Sequence, residues 1–485
     1  MHASRLLRTL LLATAPLLAA TTSYPPLPRG FEQNSGQFED GVLFALGERA
    51  FYRDRVQLAP GLWLEFAGAS PLVTVSGEER IPYPLHVYRG TDRGRWRENV
   101  AHFSTVRYAQ LYPGIDAEWN AGAGAPALRL TVAPGGDPRR LLFRLRGEPQ
   151  LNWYLSPRGL DVVSPTVFRM SGLAACQTAG AAQRPVEARL ELADAASFRL
   201  AIGAWDAALP LRVEFGEPFA LPLHPHLLQP LRGGGAVMAG FSSAPFVARL
   251  ARDGAPAFVS VMERLPVERL AAGPGGDVTV AGRTFGGTAS PPTTLDAPLP
   301  ASTRQEDGWV ARFGGDGRLR AATFTGGPIE AFALEPGGAV YFAASGSVSK
   351  WVPGAGAFRF TVRLPGIRAL ATNAAGSVAF VCWSEGPPDG LVATRGSFRG
   401  RYEGPWDVFA GTLDPESGRV LAASFLPVVG GNARVSSVQP SAALAPDGDL
   451  WISSALWFGG GASGNTLVAL GAGGSRILYS ASMAG

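Results

Sequence analysis

Lysine is almost missing from this chain. Of 485 residues, 43 are Lys or Arg, and Lys350 is the only lysine. This bias reads as a trait of a GC-rich genome rather than a functional device. The formal charge is +4, but no basic run or stripe is visible, which argues against a nucleic-acid footprint. Histidine is scarce: His2, His86, His102, His224 and His226 are the whole set. None lies in the second-half repeats described below, so a histidine-based acid or nucleophile triad is not expected there. Carboxylate-only chemistry stays open. The two cysteines, Cys176 and Cys382, lie in different halves. They read as small buried apolar residues rather than a disulfide, although an exported chain would permit one. No long amphipathic helical stretch follows the first twenty residues.

Those first twenty residues have a basic start (Arg5, Arg8), a short apolar core from Leu10 to Leu18, and small residues at Ala19-Ala20. The pattern is expected of a signal peptide over 1–20, too short to span a bilayer as a helix. No cysteine follows to carry a lipid anchor, and no second membrane-length segment is found. The expectation is an exported protein, secreted or cell-envelope associated.

What the chain has in quantity is glycine and proline, 62 and 40 residues, punctuating short apolar runs. Such punctuation signals turns between strands, and the class is all-β. The second half carries a diverged repeat of two hairpins. First-turn glycines fall at Gly235, Gly276, Gly338, Gly376 and Gly448, and second-turn glycines at Gly254, Gly317, Gly356, Gly418 and Gly474. Tight hairpins need positive φ, which glycine adopts without cost. First strands are small and apolar (Ala369-Leu370-Ala371), as suits a crowded axis, and second strands are β-branched and aromatic (Val340-Tyr341-Phe342). Units of this kind are expected to be the four-stranded blades of a β-propeller of about five, with a sixth an alternative, over 227–485. Units two and four hold about 22 extra residues between their second and third strands, at Thr284–Glu306 and Glu385–Pro405. These inserts are expected to rim one face, either as a binding face or as simple loop drift.

Residues 30–222 alternate with period two instead, as in Leu62-Trp63-Leu64-Glu65-Phe66 and Leu128-Arg129-Leu130-Thr131-Val132. That pattern predicts antiparallel sheets packed on one face, a β-sandwich-like domain. Three stretches are specific. Phe31–Gln37 resembles an F-E-x-N-x-G-Q opening, Val106–Asp116 a V-x-Y-x-x-L-Y-P-G-I-D signature, and Val132–Pro138 a V-x-P-G-A-D-P. All three resemble an exported bacterial domain of uncharacterised function that precedes seven-bladed β-propeller (SBBP) repeats. Unit two, Gly276–Thr284 then Asp307–Phe313, is similar to that repeat's G-N-x-Y-V-T-G-x-T and D-A-F-V-A-K-L. The other units have lost the G-x-T ending, and five units are found where the family name promises seven. The resemblance implies an exported, surface-associated protein in adhesion or polymer binding. It carries no catalytic residues across.

Candidate chemistry is sparse. His224 and His226 could offer two imidazoles to a metal, but no carboxylate or cysteine completes a set, so a linker is the better reading and no metal is expected. Asp447-Gly448-Asp449 reads as a β-turn rather than a calcium loop. Gly459–Gly464 lacks the Lys-Ser/Thr and helix of a phosphate loop. Trp383, Tyr402, Trp406 and Trp457 flank the inserted connections, where they either stack on sugar rings or cap blade edges. The sequence therefore points to a non-enzymatic binding or scaffold protein for an extracellular polysaccharide or protein, with no cofactor and no nucleic acid. The alternative is a propeller lyase or hydrolase acting on an extracellular polymer.

Overall fold

The computed structural model describes residues 30–121, 127–147, 151–156, 159–164, 168–179, 182–216, 225–231, 233–241, 245–262, 266–285, 291–302, 304–384, 390–402, 407–427, 440–454 and 466–482. The described residues are strands joined by turns, with three single-turn 3-10 helices. In the N-terminal half, fifteen strands form one continuous sheet. Residues from both ends of its strand order, among them Ala175, Leu190 and Phe198, share a single core with Phe31, Tyr108 and Trp119. The sheet therefore folds over on itself into two facing layers. The alternation in Leu62–Phe66 is realised literally: Leu62, Leu64 and Phe66 point inward, while Trp63 and Glu65 are half-exposed. A three-stranded sheet over Asn152–Met170 closes one side through Leu160, Val162 and Met170.

Among the described residues, the second half is a β-propeller of five blades, each with four antiparallel strands of its own. Blade one comprises Pro225–Pro230, Ala236–Phe241, Pro245–Leu250 and Pro256–Met262. Blade two comprises Val267–Ala272, Val278–Phe285, Glu306–Phe313 and Leu319–Phe324. Blade three comprises Ile329–Leu334, Val340–Ala344, Ser347–Trp351 and Phe360–Arg363, and blade four Ile367–Thr372, Val378–Ser384, Asp407–Leu413 and Val420–Pro427. Blade five comprises Ser441–Leu444, Leu450–Ser454, Thr466–Leu470 and Ile477–Ser482. All five first-turn glycines have positive φ, between 81° and 91°. At Gly338 an added Cβ would also strike the Arg312 guanidinium. Successive blades are glued by apolar side chains facing each other. Val310 and Ala321 of blade two meet Val340, Phe342 and Trp351 of blade three, and Val381 and Val408 of blade four meet Ile452 and Val468 of blade five. Each fully buried side chain of this size contributes about 1.5–3 kcal/mol.

Among the described residues, the N-terminal strands do not form a sixth blade. Instead, Leu85–Tyr88 pairs in parallel with the last strand of blade one, and Arg97–Val100 pairs outside it. Blade one is thus six strands wide, two of them borrowed from a segment some 170 residues earlier in the chain. The borrowed strands also grip blade two. His86 Nε2 lies 2.9 Å from the Asp316 carbonyl, the Tyr88 hydroxyl accepts the Leu319 N–H at 2.7 Å, and Arg318 pairs with Glu98 at 3.1 Å.

The two inserts do not hang over the axis where they are described. Residues 291–302 and 390–402 run back along the outer strand of their own blade. Thr294 Oγ1 accepts the Ala322 N–H at 3.1 Å, and Thr394 Oγ1 accepts the Ala423 N–H at 3.1 Å. Five residues on, the Phe324 N–H donates to the Leu299 carbonyl, and the Phe425 N–H to the Arg399 carbonyl. Each insert therefore satisfies the open edge of a blade, the part of a sheet most prone to unwanted pairing. Thr394→Ala is expected to cost about 1–2 kcal/mol and to speed hydrogen exchange at the Ala423 amide. Unchanged exchange at Ala423 would show that the cap is not formed in solution.

Candidate functional site

Because strands alternate in direction, the first and second turns of every blade lie at one end of the propeller, and the inserts leave from the other. At the turn end, the first turns of all five blades surround a funnel of about 1020 Å³. Its wall includes Gln229, Arg249, Glu335, Thr372, Asn373 and Leu444. Several of the polar groups there bond one blade to the next. Gln229 Oε1 accepts the Ala272 N–H at 2.8 Å, joining blades one and two. The Thr372 hydroxyl donates to the Leu334 carbonyl at 2.6 Å, joining four and three, and Asn373 Nδ2 donates to the Ala445 carbonyl at 2.9 Å, joining four and five.

A second set of contacts comes from the third strands of blades one, two and three, where a cation reaches a turn of the next blade. Arg249 donates to the Gly315 carbonyl at 3.3 Å, Arg312 to the Gly338 carbonyl at 3.1 Å, and Lys350 to the Pro415 carbonyl at 2.8 Å. Asp277 fixes one rung by accepting from both Arg312 (2.7 Å) and the Gly315 N–H (3.0 Å). The lone lysine is buried. Burial alone would lower its pKa, but the Tyr341 hydroxyl and Glu335 outweigh it and raise the pKa, so the ammonium stays charged. Glu335 lies 3.3 Å from that ammonium. It is the one carboxylate among the described funnel-lining residues.

Of the aromatic candidates, Trp383 sits in the second strand of blade four. It is only 8% exposed and packs with Leu444 and Ile452 between blades four and five. Its ring face is committed to the core. Tyr402 is half-buried, with its ring 6.4 Å from that of Phe425 on the outer strand of blade four. Trp406 and Trp457 lie outside the described residues. Of the histidine pair, His224 lies outside them too, and His226 Nε2 is 2.8 Å from the Val267 carbonyl. Both cysteines are free, and burial pushes the Cys382 thiol pKa well up. Gln229, Glu335, Thr372 and Asn373 were not singled out in the sequence. They stand a few residues before the first-turn glycines, so an alignment of the repeat units on those glycines brings them together.

A second cleft, of about 630 Å³, separates the N-terminal sheet from the top of blade one; Phe38, Arg49, Arg89, Asp92 and Val261 lie on its walls. Its charges are balanced. Glu39 accepts the Tyr52 hydroxyl at 2.6 Å, Asp92 lies 3.7 Å from Arg95, and Arg89 stacks 4.4 Å from the Phe38 ring.

Residues 54–214 match the family model described as "Domain of unknown function (DUF7948)". No curated protein matches the sequence. Among solved structures, a protein of unknown function from Bacteroides caccae is similar at 12% identity, over 64% of this chain and 94% of that one, with a TM-score of 0.31. A catalytically inactive virginiamycin B lyase from Staphylococcus aureus with quinupristin is similar at 8% identity, over 79% and 96%, with a TM-score of 0.27. A gluconolactonase from Xanthomonas campestris is similar at 12% identity, over 56% and 79%, with a TM-score of 0.25. TM-scores this low carry no function across. Residues 54–214 thus resemble the DUF7948 model, and the residues that follow form the propeller with an axial funnel at its turn end.

Proposed function

We propose that the protein is an exported, non-catalytic binding or scaffold protein of the cell surface or medium, and that the axial funnel receives a polymer or protein segment. One observation carries this reading. Hydrolysis or elimination on a polymer by carboxylates needs two acid–base groups converging on one bond. Among the described lining residues the funnel offers only Glu335, whose charge Lys350 already balances. A cavity of this size, walled by backbone turns and apolar side chains with a few fixed polar groups, suits recognition. Export rests on the leader-like first twenty residues, and the polymer on the family resemblance.

The test is a screen of cell-wall and extracellular polysaccharides against the mature protein, with product analysis of every polymer that binds. Binding without chain shortening or new unsaturated ends is expected. Turnover by the unaltered protein would overturn the non-catalytic reading, and its loss in Glu335→Gln would place the chemistry in the funnel.

A further inference from the structure

The N-terminal sheet carries a pocket of its own, of about 380 Å³, remote from the propeller axis. Its floor is Tyr112 and Leu142, and its rim holds Arg139, Arg140 and Arg199. No carboxylate is among its described lining residues. The three arginines line one pocket because the 3-10 turn Pro138–Arg140 packs against the strand Ser197–Ile202, whose Arg199 is paired in register with Leu142. Asp137 caps that turn and holds Arg139 by two bonds, at 2.8 and 3.2 Å. Glu191 stands 3.9 Å from Arg199 but is more tightly engaged by Arg189, at 2.8 Å. Arg140 makes no hydrogen bond or ion pair with any described residue, its charge reaching Asp137 only at longer range. The Tyr112 hydroxyl donates toward the Ala67 and Leu142 carbonyls at 3.0 and 3.1 Å, so its proton is committed and donation to an anion falls to the guanidiniums. Gly68 leaves the mouth open, because an added Cβ there would meet nothing within 4 Å.

We infer that this pocket binds an anionic group, a sulfate or carboxylate, carried on a sugar chain. Guanidiniums suit it because their planar forks bond such groups in pairs. The volume fits one charged sugar unit, and the flanking Pro113 and Leu142 give apolar surface for a sugar face. The N-terminal half would then hold an acidic polysaccharide at a site separate from the funnel. Failure of one site leaves the other standing.

The test uses the full mature protein, a heparin-derived tetrasaccharide as probe, and calorimetric titration at fixed ionic strength. Arg140→Gln with Arg199→Gln is expected to weaken binding by about tenfold or more. Arg363→Gln with Arg419→Gln removes the same charge from exposed propeller sites and is expected to change binding less than about twofold. Inorganic sulfate is expected to compete only weakly. Equal loss in both double variants, or no binding by the unaltered protein, would overturn the site. Sulfate alone binding as tightly as the tetrasaccharide would overturn its assignment to a sugar chain. Ala374→Trp, which plugs the funnel, is expected to leave this titration unchanged.

Discussion

Val87→Asp is expected to destabilise the propeller as well as the N-terminal half, by about 4 kcal/mol or more. Val87 is fully buried on the borrowed strand Leu85–Tyr88, opposite Val261 of blade one. Its neighbours are Met238, Phe246, Ala248 and Val259, all apolar and without water contact. A carboxylate there has no partner and must be protonated or drag water into the sheet. Against a total stability of about 5–15 kcal/mol, the loss is a large fraction. Since the strand belongs to both halves, calorimetry should show one cooperative transition moved to a much lower temperature. Leu72→Asp serves as control. Leu72 is 70% exposed, and its replacement should shift stability by no more than about 0.5 kcal/mol. A second transition at the unaltered temperature in Val87→Asp would mean that the propeller stands without its borrowed strands.

Acid is expected to weaken the same junction. His102 is buried beside the Tyr83 ring, 4.7 Å between centroids, and is paired across strands with the buried Glu32. Burial lowers its pKa to about 4, and Arg80 adds to the lowering; the Val100 carbonyl and Glu32 pull the other way. His86 is lowered in the same direction. Burial is its largest cause, with Arg318 assisting and the Asp316 carbonyl, Glu98 and Asp316 opposing. In its neutral form His86 suits its place: Nε2–H can donate to the Asp316 carbonyl while Nδ1 accepts the Asn99 N–H at 3.4 Å. A proton on Nδ1 would set two donors against each other. For a histidine with a depressed folded pKa, the unfolded chain takes up the proton first. The stability is full above about pH 6.5, falls as the pH drops from there to about 4, and falls no further below that on this account. His102 alone contributes up to about 3 kcal/mol to this slope. His102→Phe keeps the contact with Tyr83 and removes the proton. Denaturant midpoints measured from pH 7 to pH 4 should fall steeply for the unaltered protein and less for His102→Phe. Equal slopes would place the acid-sensitive group elsewhere.

The repeat was legible because its glycines mark geometry that no other residue adopts cheaply. Nine of the ten turn glycines have positive φ. The exception is in blade three, where the second hairpin turns through Gly354, at 95°, rather than Gly356. The number of blades followed from the glycines, and the alternation in 30–222 gave the N-terminal sheet its facing layers. The origin of blade one's outer strands was not legible. Parallel pairing between residues 85–88 and 259–262 leaves no turn and no period in the sequence. The inserts were recognisable by length, but their role was hidden in single hydroxyls, Thr294 and Thr394, that bond an edge strand. The aromatic candidates were chosen for their place beside loops. Trp383 shows the weakness of that criterion, since the last residues of a strand can still point between blades. The funnel's polar wall was spread over five units, one or two residues in each, so no single stretch displayed it.

Ala374 is exposed at the funnel mouth and makes no ring-closing bond through its methyl group. Ala374→Trp should therefore fill the funnel while leaving the fold intact. The decisive measurement is the binding isotherm of Ala374→Trp beside that of the unaltered protein, on a polymer that the screen identifies, with thermal unfolding as a check on both. The binding account expects affinity to fall by about tenfold or more with unfolding unchanged. Affinity equal to that of the unaltered protein would contradict it and move recognition away from the propeller axis.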